Sequence, residues 1–533
     1  MRLSPLAKER LLYVGRWTIV SLVAFAYVVA VTKPIVLTAS DLGRHLMNGK
    51  LFLDHGVILT TNEYSYTHPD FPFLNHHWGS GVFFELARRF RGFVGVSLFG
   101  LGLTLATVVL YLRIAWLHGK LWLTLTAAAI ALPMFASRAE VRPELFSYLL
   151  SAVFLWILLG VRTGAISRWA LAILPVLLLA WVNLHIYFFL GIGWIGAFLV
   201  DALVRAWIDV PNRTRHLSFA TALAATAFAC CAVALLNPNG WKGAVYPLFI
   251  FRNYAYHVAE NQTVLAIERN GPFPPGLFFK ISLCVLFVSW IWRLWRDWER
   301  RRAPDVAILI LTLFVSLVAW NAIRNFAIFA YVSIVATSFA WSDIDLREKI
   351  GHWHAAVIMA IPLATLAILV ALHPAYWTYT FRTAGLGVAP NILRSVNFFR
   401  QAGIKGPLFN NYDIGGFLTY GLYPQERVFV DNRPEAYPGE FFTNILLPMQ
   451  MRDDVWKKID AQVRFNAIFF YRRDATQWGQ NFMIKRLKDP EWAPVFVDDF
   501  SLLLVRRTSE NAKVIERFKL PQSMFEAVPR PKP

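Results

Sequence analysis

The 533-residue chain is 56% hydrophobic and 15% aromatic, with only 16% charged residues and a mean hydropathy of +0.44, a balance that excludes a soluble globular protein. Its 53 Lys and Arg against 34 Asp and Glu give a formal charge of +19. In a polar chain that excess would suggest nucleic acid; at this apolarity it points to a membrane and to no nucleic-acid partner. Cys230, Cys231 and Cys284 all lie in apolar runs, so neither a disulfide framework nor a thiolate metal site is expected.

Mostly apolar runs recur at 17–37, 92–112, 121–136, 145–161, 169–182, 186–204, 217–236, 276–292, 306–320, 326–341 and 354–372. Each is long enough to cross, or nearly cross, a hydrocarbon core about 30 Å thick. They predict an all-α polytopic membrane domain of about 11 transmembrane helices over 1–373. The first run is too long for a removable signal peptide and reads as a signal anchor.

The polar interruptions 183–185 and 321–325 are very short, and a kink in one long helix is the alternative to a turn. Basic residues flank both pairs of runs: Arg162 and Arg168 before the first and Arg205, Arg213 and Arg215 after it, then Arg300, Arg301 and Arg302 before the second and Arg347 and Lys349 after it. Both ends on the positive-inside face make each pair a hairpin. The basic N-terminus (Arg2, Lys8, Arg10, Arg16) then lies in the cytoplasm. An odd number of spans puts everything after about 373 outside, in a multi-pass cell-membrane protein. Two long outer loops follow from this topology, 38–91 and 237–275, and loops of that size are usually functional.

Beyond residue 374 the polarity is mixed. Short apolar runs at 407–409, 427–431, 467–471, 495–497 and 502–505 predict strands, and 414–420, 454–463 and 478–487 predict helices. The pattern is that of a small α/β extracytoplasmic domain over 374–520, with a disordered end at 521–533.

Directly after the first run comes Ser40-Asp41-Leu42-Gly43-Arg44-His45, with Asn48 three residues on. On a helix Asp41 and His45 share a face, with Asn48 beside them. A carboxylate next to a His at the membrane surface suits a general base or a metal ligand; the competing reading is that Asp41 caps the helix. The same loop carries Glu63 within Thr60–Thr67, then Asn75, His76, His77 and Trp78. Asp41, His45 and one of His76 or His77 have acceptable ligand types for a divalent metal, without a strong ligand spacing.

Further polar clusters fall on the same outer side: Arg138 to Glu144 with Arg142, Trp181 with Asn183 and His185, Asn237 to Lys242, and Asn321 to Asn325 with Arg324. Ionisable groups at membrane depth are costly and usually line a cavity, although any one of them could be snorkelling or capping. A carboxylate facing Arg138, Arg142, His185, Lys242 and Arg324 is suited to a lipid phosphate or pyrophosphate. The cations would hold the phosphate as a leaving group while the carboxylate takes a proton from an attacking hydroxyl.

Several of these pieces carry a family resemblance: Asp41-Leu42 to His45-Leu46 with Asn48-Gly49, Tyr64-Ser65-Tyr66-Thr67, Asn75-His76-His77-Trp78, Arg142-Pro143, Trp181 with Asn183-Leu184-His185, Asn237-Pro238 with Gly240-Trp241, and Arg324-Asn325. In the tail, Asn411-Tyr412-Asp413-Ile414-Gly415-Gly416 and Val430-Asp431-Asn432-Arg433 add to it. With these the chain resembles polytopic glycosyltransferases of the GT-C fold class, bacterial proteins related to the dolichyl-phosphate-mannose protein mannosyltransferase superfamily. The resemblance implies a transferase that takes a sugar from a polyprenyl-phosphate donor at the outer face with inversion. Its acceptor would be a glycan, lipid or protein, and Asp41 would be the base. Many members of the wider class carry two adjacent acids at this place; here Leu42 follows Asp41, leaving Glu63 as the second acid. Asn48, His76, His77, Trp78, Asn183, Asn237 and Asn325 are expected to line the substrate site, and Asp413 and Asp431 of the tail to serve acceptor recognition. The alternatives are a transporter or flippase of a lipid-linked or anionic solute, which usually shows repeats and a site open to both sides, and a catalytically inactive GT-C-like scaffold.

Overall fold

The computed structural model describes residues 5–250, 256, 258–343 and 354–525. The chain divides into two compact units: one holds residues 1–34, 97–247 and 257–386, the other 35–96, 248–256 and 387–533. The segment 38–91 therefore belongs with the C-terminal segment and not with most of the helices of 1–373, and the tail enters its unit at 387 rather than 374. Of the predicted disordered end, Gln522–Phe525 is a single 3₁₀ turn, and 526–533 lies outside the described residues.

The first unit is helical. Among the described residues, seven helices are long and apolar enough to cross a membrane: Tyr13–Val31, Trp78–His118, Glu144–Thr163, Ile186–Ile208, Val210–Val233, Pro274–Glu299 and Ile323–Ala340. The pair Ala360–Leu372 and Pro374–Arg382 is bent by 98°, and Leu121–Ala136, Arg168–Leu184 and Val306–Asn321 are shorter apolar helices. Each of the eleven apolar runs is thus mostly helical. The first stops at Val31 rather than at 37, because Pro34 has no N–H to continue the ladder. The helix Trp78–His118 breaks at Arg91 (φ −148°, ψ 35°) and Gly92 (φ 59°), where the polar, amphipathic stretch gives way to the apolar run.

Phe326–Ala340 is central to this unit, with all fifteen residues buried, and it packs on Leu121–Ala136, Pro274–Glu299 and Val306–Asn321. At both short polar interruptions a single extended residue stops the helix: His185 (φ −160°, ψ 146°) and Ala322 (φ −151°, ψ 118°). Several arginines at the basic helix ends are ion-paired. Asp201 holds Arg162 at 3.3 Å and Arg205 at 2.8 Å and accepts from the backbone N–H of Val306 and Ala307, capping a helix distant in sequence.

The second unit contains a four-stranded sheet: β1 Leu408–Asn410, β2 Ala467–Tyr471, β3 Trp492–Val497 and β4 Ser501–Arg506. Their order is β1-β2-β4-β3, with β1 parallel to β2 and the other pairs antiparallel. The helices Gly415–Leu422, Asp453–Val463 and Gln477–Lys488 stand within two residues of the predicted ones. The stretch 427–431 does not form the strand expected of it. Instead Val428 makes an isolated bridge with Ser65, through Val428 N–H to the Tyr64 carbonyl and Tyr66 N–H to the Val428 carbonyl. Phe73 of the loop 38–91 sits in the same buried aromatic cluster as Phe409, Phe429, Phe441, Trp456 and Phe482. Burying each such side chain contributes about 1.5–3 kcal/mol, which is why the loop packs as part of this unit.

Candidate functional site

In the second unit, Asp41 stands at the start of the helix Leu42–His55, yet its side chain makes no cap hydrogen bond, so the capping reading fails. Its carboxylate instead accepts a hydrogen bond from Asn432 Nδ2 and faces Arg44 Nη2 at 3.5 Å. The Asp41 side chain is 32% exposed while that of Arg44 is 5% exposed. Arg44 Nε and Nη1 are buried without hydrogen-bond partners in the protein, as is Asn432 Oδ1.

Glycines bring these groups together. A Cβ on Gly43 would lie 2.4 Å from the Gly416 carbonyl oxygen, and one on Gly416 would lie 2.9 Å from Asn432 Oδ1. Only hydrogen fits at Gly43, where the neighbour is backbone, while a methyl at Gly416 would push on the Asn432 amide; the helices Leu42–His55 and Gly415–Leu422 pack closely as a result.

Asp413, just before the second of these helices, has its carboxyl pushed up to about 7 by burial and by the negative charges of Asp474 and Asp41. Glu435 is also pushed up, by burial, against the opposing pull of Arg44. Asp41, Asp413, Glu435, Arg44 and Asn432 thus form one electrostatic neighbourhood. Carboxylates accept and the guanidinium donates, a combination that suits hydroxyl groups, which do both.

The remaining residues expected here take other positions. His45 is 1% exposed, with its ring 5.2 Å from that of His77. Asn48 accepts from Tyr64 Oη at 2.5 Å and reaches Asn75 Oδ1 at 3.4 Å. His76 bonds the Leu74 carbonyl at 2.9 Å, and Trp78 packs on Phe52. Glu63 meets Tyr423 Oη at 3.5 Å, with neither of Asp41's partners. Asp431 is 0% exposed and closed in a bidentate pair with Arg433, at 2.9 and 2.5 Å; its neighbour Asn432 is the residue that reaches Asp41. Among the described residues no group of three or more His, Cys, Asp or Glu is placed to hold a metal ion. Asp41, His45 and His76 or His77 therefore do not fit a divalent metal, and no step is assigned to one.

In the first unit a second cluster joins three arginines to two carboxylates, Glu144 buried and Glu260 one quarter exposed. Arg142 meets Glu260 through both terminal nitrogens at 2.7 Å. Arg138 bridges Glu260 and Glu144, each at 3.3 Å. Arg324 donates to Glu144 at 3.1 Å and to Asn261 Oδ1 at 3.0 Å, while its Nε is buried without a partner. Glu140, about half exposed, completes the cluster at 2.6 Å from Arg142. Burial alone would raise the Glu260 carboxyl, but Arg138 and then Arg142 hold it well below the usual range.

His185 is beside this cluster but bound elsewhere, to Ser147 Oγ at 2.8 Å. Asn325 accepts from Tyr187 Oη at 3.0 Å. Lys242 does not join: it is exposed on the helix Gly240–Phe249 and takes part in none of the ion pairs among the described residues. Asn237 uses its amide within its own turn, to the carbonyls of Ala234 and Gly240 at 2.9 Å each, and Asn183 bonds the Leu179 and Leu236 carbonyls.

Sequence reasoning missed Arg44, Asn432 and Glu260. The first two stand inside motifs already singled out, where a basic or amide side chain beside a chosen acid was the available signal. Glu260 had none, because its partners lie at least 64 residues away from 260 in sequence, at Arg138, Arg142 and Arg324.

No family model and no curated protein matches the sequence. Solved structures do match. The apo oligosaccharyltransferase of Archaeoglobus fulgidus has a TM-score of 0.56 at 12% identity over 91% of this chain and 74% of that one. The same archaeal enzyme in complex with an inhibitory peptide and a dolichol-phosphate gives 0.54 at 12% over 90% and 72%. Tethered to an acceptor peptide it gives 0.55 at 12% over 93% and 74%. This likeness shows the fold: the chain has the GT-C fold of multi-pass membrane glycosyltransferases, mostly helical with a small sheet.

Proposed function

We propose that this protein is an integral membrane glycosyltransferase that moves a sugar from a polyprenyl-phosphate donor to an acceptor hydroxyl at the extracytoplasmic face, with inversion. The observation that carries the reading is Asp41: a carboxylate at the head of a helix it does not cap, fixed by Asn432 and Arg44 and still one third exposed. The fold likeness supports it, since one of the archaeal structures holds a dolichol-phosphate.

In this reading Asp41 is the general base. It takes the proton of the acceptor hydroxyl as that oxygen bonds to the anomeric carbon. The bond from the anomeric carbon to the phosphate oxygen breaks on the opposite side, and its electron pair leaves with the polyprenyl phosphate. Arg138, Arg142 and Arg324 are assigned to the phosphate, which they stabilise as it gains charge. Arg44 and Asn432 keep the Asp41 carboxylate aimed.

The test is release of undecaprenyl phosphate by purified protein from a panel of undecaprenyl-phosphate hexoses and pentoses. Asp41→Asn keeps the shape and removes the base, and turnover should fall by roughly 10²- to 10⁴-fold. Full turnover in that variant would remove Asp41 from the chemistry.

A further inference from the structure

The arginines assigned to phosphate are not vacant. Arg142 grips the Glu260 carboxylate with both terminal nitrogens at 2.7 Å, and Arg138 adds a third contact at 3.3 Å. This fork-on-carboxylate arrangement is the one a guanidinium makes with two oxygens of a phosphate. Glu144, by contrast, is 7% exposed in its side chain and is held from the other side by Arg324 and by Tyr148 Oη at 3.2 Å. Glu144 is built into the helix Glu144–Thr163, whereas Glu260 is carried by the three-residue turn Ala259–Asn261 and its side chain is 25% exposed. One carboxylate is part of the frame; the other enters from a loop.

We propose that Glu260 is a built-in stand-in for the ligand: its carboxylate occupies the seat that Arg138 and Arg142 form for the phosphate monoester that the transfer releases, and this lipid phosphate binds by displacing it. The inference rests on the donor reading given above and adds a gating residue to it. The charges agree with exchange rather than addition. Three arginines exceed Glu144 and Glu260 by one positive charge. A phosphate dianion added to both glutamates would leave a buried excess of negative charge, whereas one that replaces Glu260 leaves the arginines and Glu144 balanced. Buried charge without compensation is strongly disfavoured. The ligand also has acceptors to spare for Arg324 Nε and Asn261 Nδ2, both buried without partners. Displaced into water, Glu260 regains its solvation, so exchange costs far less than stripping the arginines bare. While empty of ligand, the seat keeps only one positive charge in excess.

The experiment measures binding of undecaprenyl phosphate to the full-length protein in detergent, by native mass spectrometry and by the ligand-induced rise in Tm, with inorganic phosphate as a second probe. Glu260→Gln keeps the shape and removes the competing charge, and affinity should rise about tenfold. Its ligand-free Tm should fall and its ligand-induced Tm gain should exceed that of the wild type. Glu260→Asp, which keeps the charge but shortens the reach, should show a smaller gain in the same direction and serves if the glutamine variant fails to fold. Glu299→Gln removes the same charge from a half-exposed position where the carboxylate pairs with Arg296, and its affinity should stay within about twofold. Wild-type binding with an unchanged or weaker Glu260→Gln overturns the displacement while leaving the donor reading intact. Absence of undecaprenyl phosphate binding in both proteins overturns the two together. Inorganic phosphate gaining affinity in Glu260→Gln while the lipid does not would support the seat and reassign it to a free phosphate.

Discussion

Asp41, the proposed base, has two neighbours that would aim it, and they act differently. Arg44 is a buried charge 3.5 Å away, while Asn432 supplies one directed N–H. Asn432→Ala should lower kcat by about 10- to 100-fold with little change in donor KM, because a base displaced by a fraction of an ångström loses its alignment; a KM effect alone would make Asn432 a binding residue. Asp413 adds a titration. Its folded pKa of about 7 lies above the ordinary value near ~4. The stability it contributes is therefore complete below about pH 4 and is lost as pH rises through about 7. Asp413→Asn should melt above the wild type at pH 8, by an amount on the order of 2 kcal/mol. The two Tm values should converge toward pH 4, and a wild type more stable than the variant at pH 8 would contradict the raised pKa. Which carboxyl near Asp41 would titrate was not legible in the sequence, since Asp413 and Asp474 are 61 positions apart and only the fold brings their charges together.

The helix crossing that aims Asp41 is made by backbone, and its requirement is written in glycines. Gly43→Ala would force a methyl to within 2.4 Å of the Gly416 carbonyl oxygen, and neither helix can yield without moving Asp41 from Asn432. It should destabilise the protein by about 1–3 kcal/mol and cut activity with it. Gly102 and Gly196 lie in helices with open space where a Cβ would go, so alanine there should be neutral or stabilising by up to about 1 kcal/mol. Tm and turnover of the three variants separate a crossing defect from a general intolerance of alanine. At this scale the sequence was informative for apolar helices, because an uninterrupted run of membrane length has few other solutions. It also placed β2 at Ala467–Tyr471 to the residue. It misjudged 427–431, where the apolar period of a strand was present but Val428 found a bridge to Ser65 in place of a sheet partner. Local pattern records that a segment is extended and buried; which segment it pairs with is set by a loop more than 300 residues earlier.

For the whole molecule the excess of basic residues has two fates. Arg162, Arg205 and Arg293 are held by Asp201, Asp297 and Asp305 at one end of the helical unit, and Arg138, Arg142 and Arg324 by Glu144 and Glu260. Arg162 and Glu144 belong to the two ends of the single helix Glu144–Thr163, which at 1.5 Å per residue separates them by about 27 Å, close to a hydrocarbon thickness. The two charge clusters should therefore face opposite sides of the membrane. The positive-inside bias assigns the Arg162 end to the cytoplasm, and with it Ser167, exposed in the turn after that helix. In the proposed orientation Asn270, exposed in the turn before Pro274–Glu299, and Ser509, exposed after β4, should lie outside. Single cysteines at 167, 270 and 509, in a background with Cys230, Cys231 and Cys284 replaced by Ala, give the check. In intact cells a membrane-impermeant maleimide should label Asn270→Cys and Ser509→Cys, and should label Ser167→Cys only after permeabilisation. Labelling of 167 from outside would invert the orientation and place the Asp41 chemistry in the cytoplasm, whereas labelling of 270 and 509 from opposite sides would require an odd number of crossings between them.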